Sequence, residues 1–134
     1  MATPFMEHPS GEFETAVDAM AAAIERLRGL PEWSNWITFC AQGMGHRVDS
    51  YRLAEIRMRR DELELNKSLI LDLDSVTQQA GVPRASLVEA GANYSVANAS
   101  AVDAARILDV IFRRHLGIRP HTGEGNDYAV GAEW

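Results

Sequence analysis

One group of residues combines side-chain types that act as nucleophiles or bind anions. Cys40, His46 and Arg47 lie close together in the segment NWITFCAQGMGHR, and Arg57 and Arg59 follow it. A thiol can act as a nucleophile when a histidine from elsewhere in the chain pairs with it, and guanidinium groups bind carboxylates and phosphates. The glycines of this segment match neither of the patterns that hold nucleotide phosphates, so a hairpin turn is the better interpretation. These five residues define a candidate small-molecule pocket or anion site.

The sequence contains no established catalytic or metal-binding motif. GxSxG, HExxH and CxxC are absent, and the four histidines and the single cysteine do not have the short spacings of metal ligands. A lone cysteine between Phe39 and Ala41 is typical of a buried, unreactive position. We therefore assign no catalytic residue, metal or cofactor, and the sequence favours a protein that is not an enzyme.

Three tryptophans in a short chain indicate large apolar surfaces that pack in a core or at a contact. We predict that Trp36 lies in the core. Trp33, which follows Pro31 and Glu32, and Trp134, at the end of the sequence, are candidates for contact with a partner, together with Tyr128. Packing of all three tryptophans in the core is an equally good alternative.

The segment QQAGVPRASL, residues 78 to 87, has the spacing of a helix-turn-helix. Its second helix would contain the segment ASLVEAGAN, which has no lysine or arginine and includes Glu89. A recognition helix has to contact base edges and phosphates, and this segment offers one acid and mostly methyl groups. We predict two short helices at a corner of the fold, one ending at Gly81 and the other spanning 84–91.

Length and composition indicate a single globular domain over 1–134. The chain is 46% hydrophobic and 24% charged, and its formal net charge is −6. An acidic balance repels phosphate backbones and anionic lipid, so neither a nucleic acid nor a membrane is expected as a partner. With one cysteine, no apolar run long enough to cross a bilayer and no secretory signal, the expected location is the cytoplasm.

Apolar spacing predicts two helices that position the rest of the fold. The first spans about 11–28, with Ser10 as a candidate N-cap, and the second spans about 100–116, with Ser100 as N-cap. Residues 36–42 favour a strand because they are rich in β-branched and aromatic types.

The remaining segments are less regular. Residues 48–65 fit either a helix or two strands that form a hairpin, and alternation of apolar residues favours the strands. The segment NYSVAN predicts a short strand, and Tyr128 to Trp134 alternate as a strand that docks on a sheet edge. Residues 1–9 are expected to be a loose lead-in, and 117–127 a glycine-rich connection.

These elements predict an α+β fold in which two long amphipathic helices pack on a small, mainly antiparallel sheet, with two short helices. An all-α bundle is the alternative. The favoured function is protein–protein interaction, as in an inhibitor, immunity-type or chaperone-like module, and a homodimer could form through the exposed edge that a terminal strand leaves. The alternatives are a small-molecule-binding protein or enzyme with a pocket on the sheet face, and a helix-turn-helix DNA-binding protein.

Overall fold

The structure, a computed structural model, describes residues 5–8, 15–30, 36–42, 54–59, 64–70, 72–84, 87–96, 99–115, 117 and 129–133. Within these residues the chain forms α-helices and two antiparallel sheets, so the α+β prediction is confirmed and the all-α alternative is wrong. The elements in chain order are β1 (Phe5–His8), α1 (Ala16–Arg28), β2 (Trp36–Gln42), β3 (Ala54–Arg59), β4 (Leu65–Asn66), a 3-10 turn (Lys67–Leu69), α2 (Leu73–Ala80), β5 (Val88–Ala90), β6 (Asn93–Ser95), α3 (Ala101–Val110) with a π-helical turn (Ile111–His115), and β7 (Ala129–Glu133).

The main sheet has the strand order β1-β7-β2-β3, and every neighbouring pair is antiparallel. The strands expected at 36–42 and in the C-terminal segment are present. The expected position of the C-terminal strand was wrong, because β7 lies between β1 and β2 rather than at an edge. Alternation of apolar and polar residues indicates that a segment is extended. It does not indicate which strands will pair with that segment.

The N-terminal segment also differs from the expectation. Phe5–His8 pair with Gly131 and its neighbours in β7 and so form an edge strand rather than a loose lead-in. A segment of four residues without apolar periodicity is too short for a strand to be identified from its sequence. Its pairing partner, β7, lies far away in the sequence. Of the predicted connection 117–127, only Gly117 lies within the described residues.

Helix α1 covers one face of the main sheet. Its N-cap is Thr15, whose side-chain oxygen accepts a hydrogen bond of 3.0 Å from the backbone N–H of Asp18. The predicted start at residue 11 and the candidate cap Ser10 lie outside the described residues. The helix buries the side chains that face the sheet and α3, namely Ala16, Ala19, Met20, Ala21, Ala23, Ile24 and Leu27.

Helix α3 packs against α1 and α2. Its predicted cap is confirmed, because the Ser100 hydroxyl accepts a hydrogen bond of 3.1 Å from the N–H of Asp103. The guanidinium of Arg28, at the end of α1, donates to the carbonyl of Ala99 at 3.2 Å. The two helices are therefore linked at this end by packing and by a polar contact.

The second sheet has the order β4-β6-β5, and it corrects two predictions. Val88–Ala90 form a strand paired with β6, so the short helix predicted over 84–91 is wrong in this part; residues 85 and 86 are outside the described residues. Gly91 has a φ of 62°, which allows the chain to reverse between the two strands. The hairpin predicted within 48–65 is also wrong, since β3 pairs with β2 whereas β4 pairs with β6.

Both sheets and all three α-helices contribute to one cluster of buried side chains. Its largest fully buried members are Phe39, Phe112, Met20, Ile24, Leu27, Ile37, Ile56, Met58, Leu65 and Ile107. No helix in the described part of the chain has the length and apolar character needed to cross a membrane.

Candidate functional site

The main sheet has two unlike faces, and the one away from α1 carries the candidate site. On β2 the side chains of Ile37 and Phe39 are fully buried, whereas Trp36 is exposed, as the alternation of a strand requires. On β3 the buried Ile56 and Met58 alternate with exposed arginines in the same way. We call this second surface the outer face, and its described side chains are Trp36, Thr38, Cys40, Arg57 and Arg59.

Strand register brings the outer-face residues together. Trp36 is paired with Arg59, and Thr38 is paired with Arg57. Side chains of directly paired residues lie on the same face, and diagonal neighbours are within reach of long side chains. Two arginines from β3 are thereby placed beside one tryptophan from β2.

Both arginines lie over the indole of Trp36. The guanidinium carbon of Arg57 is 4.8 Å from the ring centroid and that of Arg59 is 5.4 Å away. At exposed positions each such cation–π contact contributes about 0.5–1 kcal/mol. The Trp36 residue remains 43% exposed, so the two arginines restrain the ring without covering it.

The two arginines differ in their ionic partners. Arg59 lies 3.8 Å from a carboxylate oxygen of Glu64, and the same oxygen accepts a hydrogen bond of 3.2 Å from the side-chain amide of Asn93. Through these contacts the outer face is linked to the second sheet. Arg57 is exposed and forms no ion pair with any carboxylate whose side chain the structure describes.

Some of the residues that the sequence singled out meet on the outer face. Cys40, Arg57 and Arg59 lie on it, with Cys40 half-buried. The other candidates fall outside the described residues; they are Trp33, His46, Arg47, Tyr128 and Trp134. Trp36 was predicted to lie in the core, and this is wrong because its neighbours Ile37 and Phe39 occupy the inner face. The alternation Ile37–Phe39 was the signal that places Trp36 outside.

One small gap is lined by described residues, and it does not involve Cys40, Arg57 or Arg59. That gap lies on the inner face of the sheet and has no room for a water molecule. It is lined by Ala19, Met20, Phe39, Val130, Gly131 and Ala132. An apolar space of this size is a small packing defect of the core, and none of the three candidate residues borders it.

A second polar cluster lies on the smaller sheet. The Lys67 ammonium donates to the Glu89 carboxylate at 2.8 Å and lies 5.5 Å from the centroid of the Tyr94 ring. The hydrogen bond from Lys67 and its positive charge lower the pKa of the Glu89 carboxyl. The sequence did not reveal this cluster, because Lys67 and Glu89 are 22 positions apart and only strand pairing brings them together.

The described residues do not supply the parts of a metal site or of a DNA-reading helix. Among the side chains that the structure places, no group of three or more His, Cys, Asp or Glu could hold a metal ion. The second helix of the helix-turn-helix alternative is wrong over Val88–Ala90, which form strand β5. Helix α2 ends at Gly81, and the chain then leads into a hairpin.

Comparison with known proteins identifies no match among family models, curated proteins or solved structures.

Proposed function

We propose that this protein acts by binding another protein through the outer face of its main sheet. The observation that carries this proposal is the exposed Trp36, restrained by the guanidinium groups of Arg57 and Arg59. Tryptophan and arginine are enriched among the residues that contribute most to protein–protein binding. A ring that is already restrained loses less conformational entropy when a partner covers it.

The strand arrangement of the outer face favours a protein partner over a small molecule. Its five described side chains project from two adjacent strands of one sheet, and the core gap described above lies on the opposite face. Small-molecule sites are usually concave and bury most of their ligand. A face built from adjacent strands is better suited to a broad contact, so the enzyme alternative has less support.

The partner can be a different protein or a second copy of this chain. The homodimer expected from the sequence uses the edge that a terminal strand leaves; β7 does not supply that edge because it lies between β1 and β2, and the edge strands of the main sheet are β1 and β3. An inhibitor, immunity-type or chaperone-like role fits contact with a different protein.

Site-specific photocrosslinking tests the proposal in cells. A photoreactive phenylalanine replaces Thr38 on the outer face, and the control carries it at the exposed Gln78 on α2. We expect a defined adduct from position 38 only. Trp36→Ala should lower its yield at least about tenfold, the loss expected for a central contact residue.

The matched control is Val102→Ala, which removes an apolar side chain of similar exposure, 40%, on α3. This variant should keep the adduct. Thermal unfolding of both variants checks that the fold is retained, which we expect because Trp36 lies outside the core. An adduct that survives Trp36→Ala, or that is lost equally in Val102→Ala, contradicts the proposal, as does the absence of an adduct from position 38.

A further inference from the structure

We propose that two copies of this chain associate edge to edge through strand β3, so that their main sheets continue into one antiparallel sheet. This inference concerns an edge of the sheet and does not rest on the proposed contact through the outer face. Within the described part of the chain, β3 pairs only with β2, so its other edge has no strand beside it. The backbone N–H and C=O groups along such an edge are a template for a further strand.

Of the two edge strands described in the main sheet, β3 is the longer. It has six residues, Ala54–Arg59, whereas β1 has four. In β3 the buried Ile56 and Met58 alternate with the exposed Arg57 and Arg59. A strand added at this edge therefore has to match an apolar side and a charged side at the same time.

The charged side of β3 combines both signs. Pairing with β2 places position 55 on the same side of the sheet as position 57, so a glutamate and an arginine alternate there. The residues directly opposite them on β2 are Cys40 and Thr38, neither of which is a charged residue type. Opposite charges on directly paired residues stabilise an antiparallel pair, and like charges destabilise it. A strand at the free edge can supply the opposite charges that β2 does not.

A two-fold axis through Ile56 makes the edge complementary to itself. In this arrangement Glu55 of each copy is opposite Arg57 of the other, which gives two pairs of opposite charge. On the inner side, Ile56 is opposite Ile56 of the second copy, and Ala54 is opposite Met58. The apolar sides of the two sheets therefore also continue into each other.

The neighbouring alignment is less favourable. An axis through Arg57 pairs residues 55–59 and brings Glu55 opposite Arg59, but it places Arg57 opposite Arg57 of the second copy. It also includes Arg59 in the paired stretch, although Arg59 already lies 3.8 Å from Glu64 of its own chain. The axis through Ile56 pairs residues 54–58 and leaves that contact outside. We therefore infer the axis through Ile56.

Charge reversal followed by sedimentation velocity tests this inference on the full chain. The sedimentation coefficient of the wild-type chain should rise with concentration. Glu55→Arg leaves arginine at positions 55 and 57, and Arg57→Glu leaves glutamate at both. Each single variant should raise the Kd of the dimer at least about tenfold, because two attractive pairs become two repulsive ones.

Two combinations should restore the dimer. The double variant Glu55→Arg with Arg57→Glu exchanges the two charges, so opposite charges again face each other across the axis through Ile56. An axis through Arg57 predicts no such rescue, because glutamate would then face glutamate at position 57. A mixture of the two single variants should form a heterodimer at concentrations at which neither variant dimerises alone. This result would also show that both variants are folded.

Controls repeat the changes of net charge on other elements. Arg84→Glu lowers the net charge by two, as Arg57→Glu does, at an exposed position beside α2. Glu25→Arg raises it by two, as Glu55→Arg does, at an exposed position on α1. Both controls should dimerise like the wild type. Hydrogen exchange of the amides of residues 54–58 should slow with concentration in the wild type but not in Arg57→Glu.

Several outcomes overturn the inference. They are a wild-type chain that stays monomeric up to millimolar concentration, failure of both the double variant and the mixture to dimerise, and equal weakening by the controls. A dimer that is lost in Trp36→Ala but kept in both single reversals is formed by the outer face, and this result also rejects pairing through β3.

Discussion

At the scale of single residues, the contact between Lys67 and Glu89 favours the ionised form of the exposed Glu89 carboxyl. The hydrogen bond and the charge of Lys67 lower the pKa of Glu89. A carboxyl whose pKa is lower in the folded than in the unfolded state stabilises the fold above its unfolded pKa. This contribution is lost as the pH falls through the folded pKa.

We predict that Lys67→Gln raises the pKa of Glu89 towards the ordinary glutamate value of about 4.3. The pH dependence of the Glu89 carboxyl signal in NMR measures this directly. Urea unfolding should show a stability difference between wild type and variant near neutral pH that shrinks as the pH falls through the lowered pKa of Glu89, below which the carboxyl is protonated in both proteins. An unchanged Glu89 titration in Lys67→Gln would rule out the assigned cause.

Residue types predicted part of the outer face but not its centre. Cys40, Arg57 and Arg59 were identified because their side chains bind anions or react, and strand pairing brings them to one face. Trp36 was assigned to the core because a large aromatic ring is usually buried. The side of a strand on which a residue lies is decided by its neighbours, and Ile37 and Phe39 take the inner side.

At the scale of elements, the turn after α2 depends on a backbone conformation that favours glycine. Gly81 has a φ of 71° at the end of the helix, and its N–H donates to the carbonyl of Gln78 at 3.2 Å. A Cβ added there would meet no heavy atom within 4 Å. Any cost of a side chain at this position therefore comes from the backbone conformation rather than from a steric clash.

We expect Gly81→Ala to lower the free energy of unfolding by about 1–2 kcal/mol, the cost of a left-handed conformation for alanine. The control is Gly29→Ala at the end of α1, where φ is −91° and the added Cβ would make only ordinary contacts. Urea unfolding of the two variants compares the costs. Equal destabilisation by both substitutions would refute the backbone explanation.

The elements that the sequence predicted well are those whose signal is local. Ser100 caps α3 with its own side chain, and residues 36–42 have strong strand preferences. The sequence predicts a short helix over 84–91 that ends at Gly91, whereas Val88–Ala90 form a strand. Val88–Ala90 become extended because they pair with Asn93–Ser95. The sequence of a three-residue segment does not by itself indicate such pairing.

At the scale of the whole molecule, the five-residue strand β7 connects two parts of the main sheet, because it lies between β1 and β2. It pairs with β1 on one side and with β2 on the other, and Val130 and Ala132 are buried against the inner face. The sequence could not supply this order, because the pairing partners are distant and alternation is similar for edge and interior strands.

Truncation tests the interior position of β7. A chain that stops after residue 128 lacks the strand between β1 and β2, and we expect it to lose cooperative thermal unfolding because the main sheet is divided. A chain that lacks residues 1–8 loses only an edge strand. It should keep a cooperative transition at a lower Tm, as measured by circular dichroism. Similar transitions for the two shortened chains would contradict the interior position.

The same strand order determines when the main sheet can form during synthesis. Pairing between Phe5 and Glu133 joins residues more than a hundred positions apart, and contacts of such separation form slowly. One side of β2 has no β7 to pair with until residues 129–133 have been made. During that interval an unpaired strand edge and the apolar side chains of Ile37 and Phe39 are open to association with other chains. The yield of folded protein should therefore depend on how soon residues 129–133 are synthesised.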